Sequence, residues 1–151
     1  MARRGAVTLP ARLEEVASEL RALPPQLRVE VLLDYSERMP QPPAHLRDDP
    51  WRMEQVTECQ TPFFVAVEVD GDARVTIHFD CPPDAPTQRG FAGLLAAGLN
   101  GATTDEVLAV PADVGARLGL GEAISTLRLQ GLQAILVRVQ RQVELARRAG
   151  A

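Results

Sequence analysis

A single β-hairpin constrains what this chain can fold into. The apolar segment Phe63–Val69 is followed by Asp70-Gly71-Asp72, a typical hairpin turn. The return segment alternates cleanly, with Val75, Ile77 and Phe79 on one side and polar residues on the other. A sheet of two or three strands is not stable alone. The apolar face of the hairpin therefore requires helices from the rest of the chain.

Helical patterns flank the hairpin on both sides. Before it, apolar residues recur at helical spacing from Ala11 to the Pro24-Pro25 pair, and a second helix runs from Pro25 to about Met39. A proline-rich linker is expected over residues 40–50, and a short edge strand over 51–56.

Four further helices are predicted after the hairpin. Asp84 is expected to cap a helix over residues 86–99, in which Gly90 and Gly93 suggest close packing against the sheet. A capping box at residues 103–106 and a Ser or Thr cap at 125–126 begin later helices. The predicted order is ααβββαααα, an α+β fold with helices on one face of a small antiparallel sheet.

The length and the net charge of the chain limit the number of domains and the kinds of partner it can have. The 151 residues fit one domain, predicted over residues 11–151 after a flexible tail at 1–10. The net charge of −4 argues against nucleic-acid binding, which requires a basic surface. No apolar run is long enough to span a bilayer, and the paired arginines near the start lack the hydrophobic segment of a signal peptide. We expect a cytoplasmic protein.

The reactive side chains are few. Cys59 lies in a polar segment just before the strand that starts at Phe63, where a thiol can reach a partner. Cys81 follows the return strand, and we expect it to have a structural role. The two cysteines and two histidines have no spacing typical of zinc or iron–sulfur ligands, so no metal site is predicted.

The chain contains no lysine; all sixteen basic residues are arginine. It cannot form a Schiff base with pyridoxal phosphate through lysine, so it is not itself a desulfurase of that type.

Three motifs together resemble the SufE family of sulfur acceptors. Glu-Cys-Gln-Thr at 58–61 resembles the Gly-Cys-Gln-Ser around the family's acceptor cysteine. Residues 83–90 resemble the Ser-Asp-Ala segment that precedes the long middle helix and its Lys/Arg-Gly pair, and residues 127–132 resemble the Ser-Arg-x-x-Gly-Leu that begins the last helix. The resemblance covers roughly residues 10–146, with the motifs in matching order and the expected elements between them.

The resemblance implies a SufE/IscU-like fold and a role in sulfur trafficking. Cys59 would accept persulfide sulfur from a SufS-like cysteine desulfurase, which carries the pyridoxal phosphate, and pass it to an iron–sulfur scaffold. No cofactor is expected in this chain. Arg128 would stabilise the thiolate or persulfide, while Glu58, Gln60 and Asp84 would contact the partner or position the cysteine loop.

Two departures indicate a divergent branch whose donor is a desulfurase or another sulfurtransferase. Glu58 replaces a glycine, so the turn loses access to positive φ, and its carboxylate disfavours a neighbouring thiolate unless an arginine offsets it. We expect Arg128 to be that arginine. Leu127 replaces the serine before it.

Two other functions stay open at this point. The protein could be an adaptor that binds and stimulates a desulfurase or sulfurtransferase without carrying sulfur. It could also be a redox protein that forms a transient Cys59–Cys81 disulfide, although the two cysteines lack the close spacing of dithiol catalysts.

Overall fold

A computed structural model describes residues 9–59 and 61–150. Seven α-helices, three strands and two 3₁₀ turns follow one another within these residues. In chain order they are α1 (Ala11–Arg21), α2 (Pro25–Arg38), α3 (Ala44–Arg47), a 3₁₀ turn (Pro50–Arg52), β1 (Glu54–Gln55), β2 (Phe64–Val69), β3 (Val75–Asp80), α4 (Pro86–Leu99), α5 (Thr104–Leu108), α6 (Val114–Arg117), a 3₁₀ turn (Leu120–Glu122) and α7 (Thr126–Ala149).

The sheet is antiparallel in the order β1-β2-β3, as the predicted α+β fold requires. The β2–β3 hairpin closes through Asp70, whose side chain accepts hydrogen bonds from the backbone N–H groups of Asp72 and Arg74 at 2.8 and 3.0 Å. The inward face of β3 is buried in the main core, and the rings of Phe63 and Phe79 pack edge to face with centroids 5.7 Å apart.

The N-terminal helices and α4 pack through backbone contact. A Cβ atom on Gly90 would lie 2.3 Å from the carbonyl oxygen of Leu32, and one on Gly93 would lie 2.2 Å from that of Tyr35. The predicted close packing at these glycines is therefore present, but its partner is α2 rather than the sheet. The periodicity of α4 marks its buried face without identifying which element covers it.

The 40–56 segment differs from the predicted linker and edge strand. It contains α3 and a 3₁₀ turn, and the edge strand is reduced to the two residues of β1. Leu46 and Met53 from this segment form a small second apolar cluster with Ala66 and the partly buried Phe64 on the other face of the sheet. Both faces of the sheet are therefore covered, one by the main helices and one by this segment.

Three local predictions at helix starts had different outcomes. The predicted Asp84 cap is wrong: the N-cap residue of α4 is Ala85, with no side-chain cap, and Pro86 begins the helix. The capping box on α5 is confirmed, since Thr103 and Glu106 bond each other's backbone N–H groups. The predicted cap at 125–126 is confirmed at Ser125.

The predicted N-terminal tail lies mostly outside the described residues, which begin at Leu9. Leu9 is 4% exposed and belongs to the main core, and Pro10 is buried too. Packing of the chain therefore starts before Ala11, the predicted domain boundary.

One glutamine joins helix α7 to β2 where the two-residue strand β1 leaves the edge of β2 unpaired. The backbone N–H of Val67 donates to Gln142 Oε1 at 2.9 Å, and Gln142 Nε2 donates to the carbonyl of Val65 at 3.2 Å. The amide thus provides the donor and acceptor that a further strand would offer. Among the described helices, none combines the length and the apolar character needed to cross a membrane.

We predict that Gly93→Ala destabilises the protein by at least about 2 kcal/mol, because overpacking against the rigid α2 backbone exceeds the gain in helix propensity. Urea unfolding measures this free energy. Gly71→Ala is the control, since a Cβ atom at Gly71 would meet nothing within 4 Å. Equal stability of the two variants would contradict the α2–α4 contact.

Candidate functional site

Three separate segments of the chain meet around one cleft with a volume of about 440 Å³. They are the turn between β1 and β2, the start of α4 and the start of α7. Four of the five predicted site residues, Glu58, Cys59, Asp84 and Arg128, line this cleft. Gln60, the fifth, lies outside the described residues. We call this surface the Cys59 cleft; its other lining residues are Thr61, Ala85, Pro86, Thr87, Gln88, Ser125, Leu127 and Gly131.

Cys59 is held in a closed turn. Its backbone N–H donates to the carbonyl of Val56 at 3.2 Å, and the Val56 N–H donates to the carbonyl of Phe63 at 2.8 Å. The thiol is half-buried against α7, where a Cβ atom on Gly131 would lie 3.9 Å from Cys59 Sγ. The turn between the two strands thus presents the thiol to the cleft rather than to open solvent.

The thiol is strongly biased toward its protonated form. Burial, and then the negative charge of Glu58, raise the pKa of Cys59 to about 11, and the positive charge of Arg138 opposes this rise. On the order of one molecule in ten thousand therefore carries the thiolate at pH 7. Cys59 at rest is a poor nucleophile.

Arg138, not Arg128, is the ion-pair partner of Glu58. Arg138 Nη2 donates to Glu58 Oε1 at 2.7 Å, while Nη1 donates to Glu54 Oε2 at 2.7 Å and to the carbonyl of Gln55 at 3.0 Å. The pKa of Glu58 is lowered, first by a hydrogen bond from its own backbone and also by Arg138. Our expectation that Arg128 offsets Glu58 is therefore wrong.

Sequence reasoning missed Arg138 because its partners are about eighty residues away in the chain. The available signal was its place in α7, where Arg138, Arg141 and Gln142 follow helical spacing beside the buried leucine stripe. All three of these side chains bond Glu54 of β1.

Arg128 lies at the exposed rim of the Cys59 cleft, where it connects α7 to α4. Its Nη1 donates to the hydroxyl of Thr87 at 3.0 Å, and its backbone N–H donates to Ser125 Oγ at 3.3 Å. Within the described part of the chain it forms no ion pair with a carboxylate. Its guanidinium charge is thus uncompensated beside the cleft that holds the thiol.

Cys81 lies in the main core and is 5% exposed. Its Sγ is 3.8 Å from Met39 Sδ, and its pKa is raised to about 11, chiefly by burial. A resolving role for Cys81 would require it to leave these contacts. Within residues 9–59 and 61–150, no group of three or more His, Cys, Asp or Glu side chains is arranged to hold a metal ion.

Comparison with known proteins gives consistent results. Residues 14–143 match the SufE family, described as the Fe-S metabolism associated domain. An uncharacterized SufE-like protein of Mycobacterium tuberculosis is 42% identical over 139 residues, which are 92% of this chain and 96% of that protein. The chloroplastic/mitochondrial SufE-like protein 1 of Arabidopsis thaliana is 25% identical over 89% of this chain and 35% of its own length.

A solved structure shares the fold. The solution structure of a hypothetical protein from Thermus thermophilus superposes with a TM-score of 0.82 at 42% identity, covering 92% of this chain and 98% of that chain.

We predict that Glu58→Gln lowers the pKa of Cys59, because it removes a negative charge and leaves Arg138 without its partner at the turn. Alkylation by iodoacetamide at pH 8 should become roughly threefold to tenfold faster. The pKa should still exceed the ordinary 9.0, since burial is the larger cause. Alkylation rates measured from pH 7 to 11 test this, and an unchanged midpoint would refute the electrostatic link.

Arg138→Gln is the matched variant, and it should change the pKa of Cys59 in the opposite direction to Glu58→Gln. It removes the one charge that opposes the rise, so the pKa of Cys59 should increase and alkylation at pH 8 should slow. A faster rate at pH 8 with no change in midpoint would mean that Arg138 acts only by holding the turn closed.

Proposed function

The chain belongs to the SufE family, and on that premise we propose that it accepts persulfide sulfur on Cys59 from a cysteine desulfurase and passes it on for iron–sulfur cluster assembly. The donor is a SufS-like desulfurase or another persulfide-bearing sulfurtransferase, and the acceptor is an iron–sulfur scaffold. Pyridoxal phosphate belongs to the partner desulfurase, and this chain needs no cofactor of its own.

One observation carries this proposal: the three motifs that resemble the family surround one thiol. The segments that contain Cys59, Asp84 and Arg128 are far apart in the chain, yet all line the Cys59 cleft. A core cysteine needs no such surroundings. Cys81 illustrates the difference, because its thiol is buried next to the thioether of Met39.

The transfer is a thiol–persulfide exchange. The Cys59 thiol loses its proton, and its thiolate attacks the terminal sulfur of the donor's persulfide. A sulfur–sulfur bond to Cys59 forms as the bond inside the donor persulfide breaks, and the donor's cysteine leaves as a thiolate. No second cysteine in this chain is required. The uncompensated guanidinium of Arg128 supplies positive charge for the anionic persulfide that results.

The resting pKa of Cys59 implies that the partner activates the thiol. Burial is the first cause of the rise, so moving the turn away from α7 would hydrate the sulfur and lower its pKa. Leu127, 64% exposed at the rim of the cleft, offers an apolar contact for a partner that displaces the turn. We place the protein in the cytoplasm, where thiols are kept reduced.

The half-buried state of Cys59 also favours a second function, that of an adaptor which stimulates a desulfurase or sulfurtransferase without taking up sulfur. The two functions differ in whether they need the sulfur atom of Cys59.

We therefore predict that wild-type protein stimulates sulfide release by an active desulfurase and that Cys59→Ser reduces the rate to that of the desulfurase alone. Cys81→Ala is the control; it should retain the stimulation because its thiol faces the core. Stimulation that survives in Cys59→Ser would refute the carrier function and establish the adaptor.

A further inference from the structure

The Cys59 cleft has hydrogen-bonding capacity that the described protein groups leave unused. The hydroxyl oxygen of Thr61 is buried and has no hydrogen-bond partner among the described residues. Among the described residues, the guanidinium of Arg128 donates only to the neutral hydroxyl of Thr87. Arg128 lines the cleft of the thiol and has no carboxylate partner among the described residues, so its charge points to an anionic ligand.

Two helix N-termini add to this capacity. Helix α4, of 14 residues, has no side-chain cap, and no described side chain accepts from the backbone N–H groups of Thr87 or Gln88. Helix α7, of 24 residues, has the Ser125 cap, which satisfies only the Arg128 N–H. The positive ends of both helices border the same cleft as Arg128.

Two carboxylates also line the cleft, and they differ in whether an arginine pairs with them. Glu58 is paired with Arg138 at 2.7 Å, and Asp84 is exposed and forms no ion pair within the described residues. The α4–α7 side of the cleft therefore holds Arg128 and the two helix N-termini together with one unpaired carboxylate, that of Asp84. The volume of about 440 Å³ is within the range of small-molecule sites.

We propose that the Cys59 cleft binds the anionic head group of a small sulfane-sulfur compound, from which Cys59 takes sulfur without a partner protein. This inference rests on the proposed function of Cys59 as a sulfur acceptor. Such a ligand carries both a transferable sulfur atom and an anionic oxygen group. The anionic group is either a sulfonate, as in thiosulfate, or a carboxylate, as in cysteine persulfide.

With thiosulfate the step balances without any redox partner. The Cys59 thiol gives its proton to the buffer, and the thiolate attacks the outer sulfur of thiosulfate. The new sulfur–sulfur bond makes the Cys59 persulfide, while the sulfur–sulfur bond of thiosulfate breaks and its electron pair leaves with sulfite. Arg128 neutralises the head group before the step and the departing sulfite after it.

The first test measures the anion site without sulfur chemistry. Iodoacetate and iodoacetamide alkylate the same thiolate but differ in charge, so the ratio of their rates cancels any change in the pKa of Cys59. Arg128→Gln should lower the iodoacetate-to-iodoacetamide ratio about tenfold, the effect of losing one charge-assisted hydrogen bond. Arg128→Lys should restore part of it. Arg47→Gln, an exposed arginine outside the cleft, is the control and should leave the ratio unchanged.

An equal ratio in wild type and Arg128→Gln would overturn the proposed anion site. So would an equal fall in Arg47→Gln, because the effect would then follow net charge alone.

The second test loads the protein with sulfur in three parallel arms: thiosulfate, cysteine persulfide, and a desulfurase with L-cysteine. Intact mass reports the uptake. The inference predicts saturable uptake on Cys59 from at least one small donor, slowed about tenfold in Arg128→Gln. The arm that responds identifies the sulfonate or the carboxylate as the head group.

The arms separate failure of this inference from failure of the proposed function. Uptake from the desulfurase but from neither small donor would overturn the inference alone. Uptake from a small donor but not from an active desulfurase would support the inference and refute the desulfurase as donor. No uptake in any arm would overturn both.

Discussion

The attachment of α7 to the sheet edge is the interaction on which the site depends. Gln142 takes the place of a missing strand beside β2, and Arg138, Arg141 and Gln142 all bond the single carboxylate of Glu54 in β1. Because the Cys59 turn joins β1 to β2, these bonds from α7 to both strands hold the turn against α7. Arg138 extends the same contact to Glu58. The start of α7 then supplies Arg128 to the cleft, so one helix both holds the turn closed and forms the wall against which the thiol lies.

This attachment has a chemical consequence for sulfur transfer. A thiol that is half-buried beside a carboxylate is kept protonated, which protects it from unwanted reaction but also slows the desired one. In this chain the Glu58–Arg138 ion pair holds the turn that contains Cys59 against α7.

The sequence predicted what depends on local pattern. Alternation identified β3, side-chain spacing identified the capping box at Thr103, and three motifs in matching order together indicated the family. What it did not predict were pairings between distant residues. Gly90 and Gly93 showed close packing, but the α2 carbonyls they meet carry no side-chain signal. Arg138 and Arg128 are both arginines on α7, and only the register of the helix against β1 decides which one reaches Glu58.

Peptide mapping after sulfur transfer shows directly whether Cys59 takes up sulfur. The protein is incubated with an active desulfurase, pyridoxal phosphate and L-cysteine, then analysed by mass spectrometry with and without reductant. A carrier function predicts a reductant-labile gain of about 32 Da on the peptide that contains Cys59. A gain on the Cys81 peptide instead, or none on either peptide while the desulfurase is demonstrably active, would contradict it.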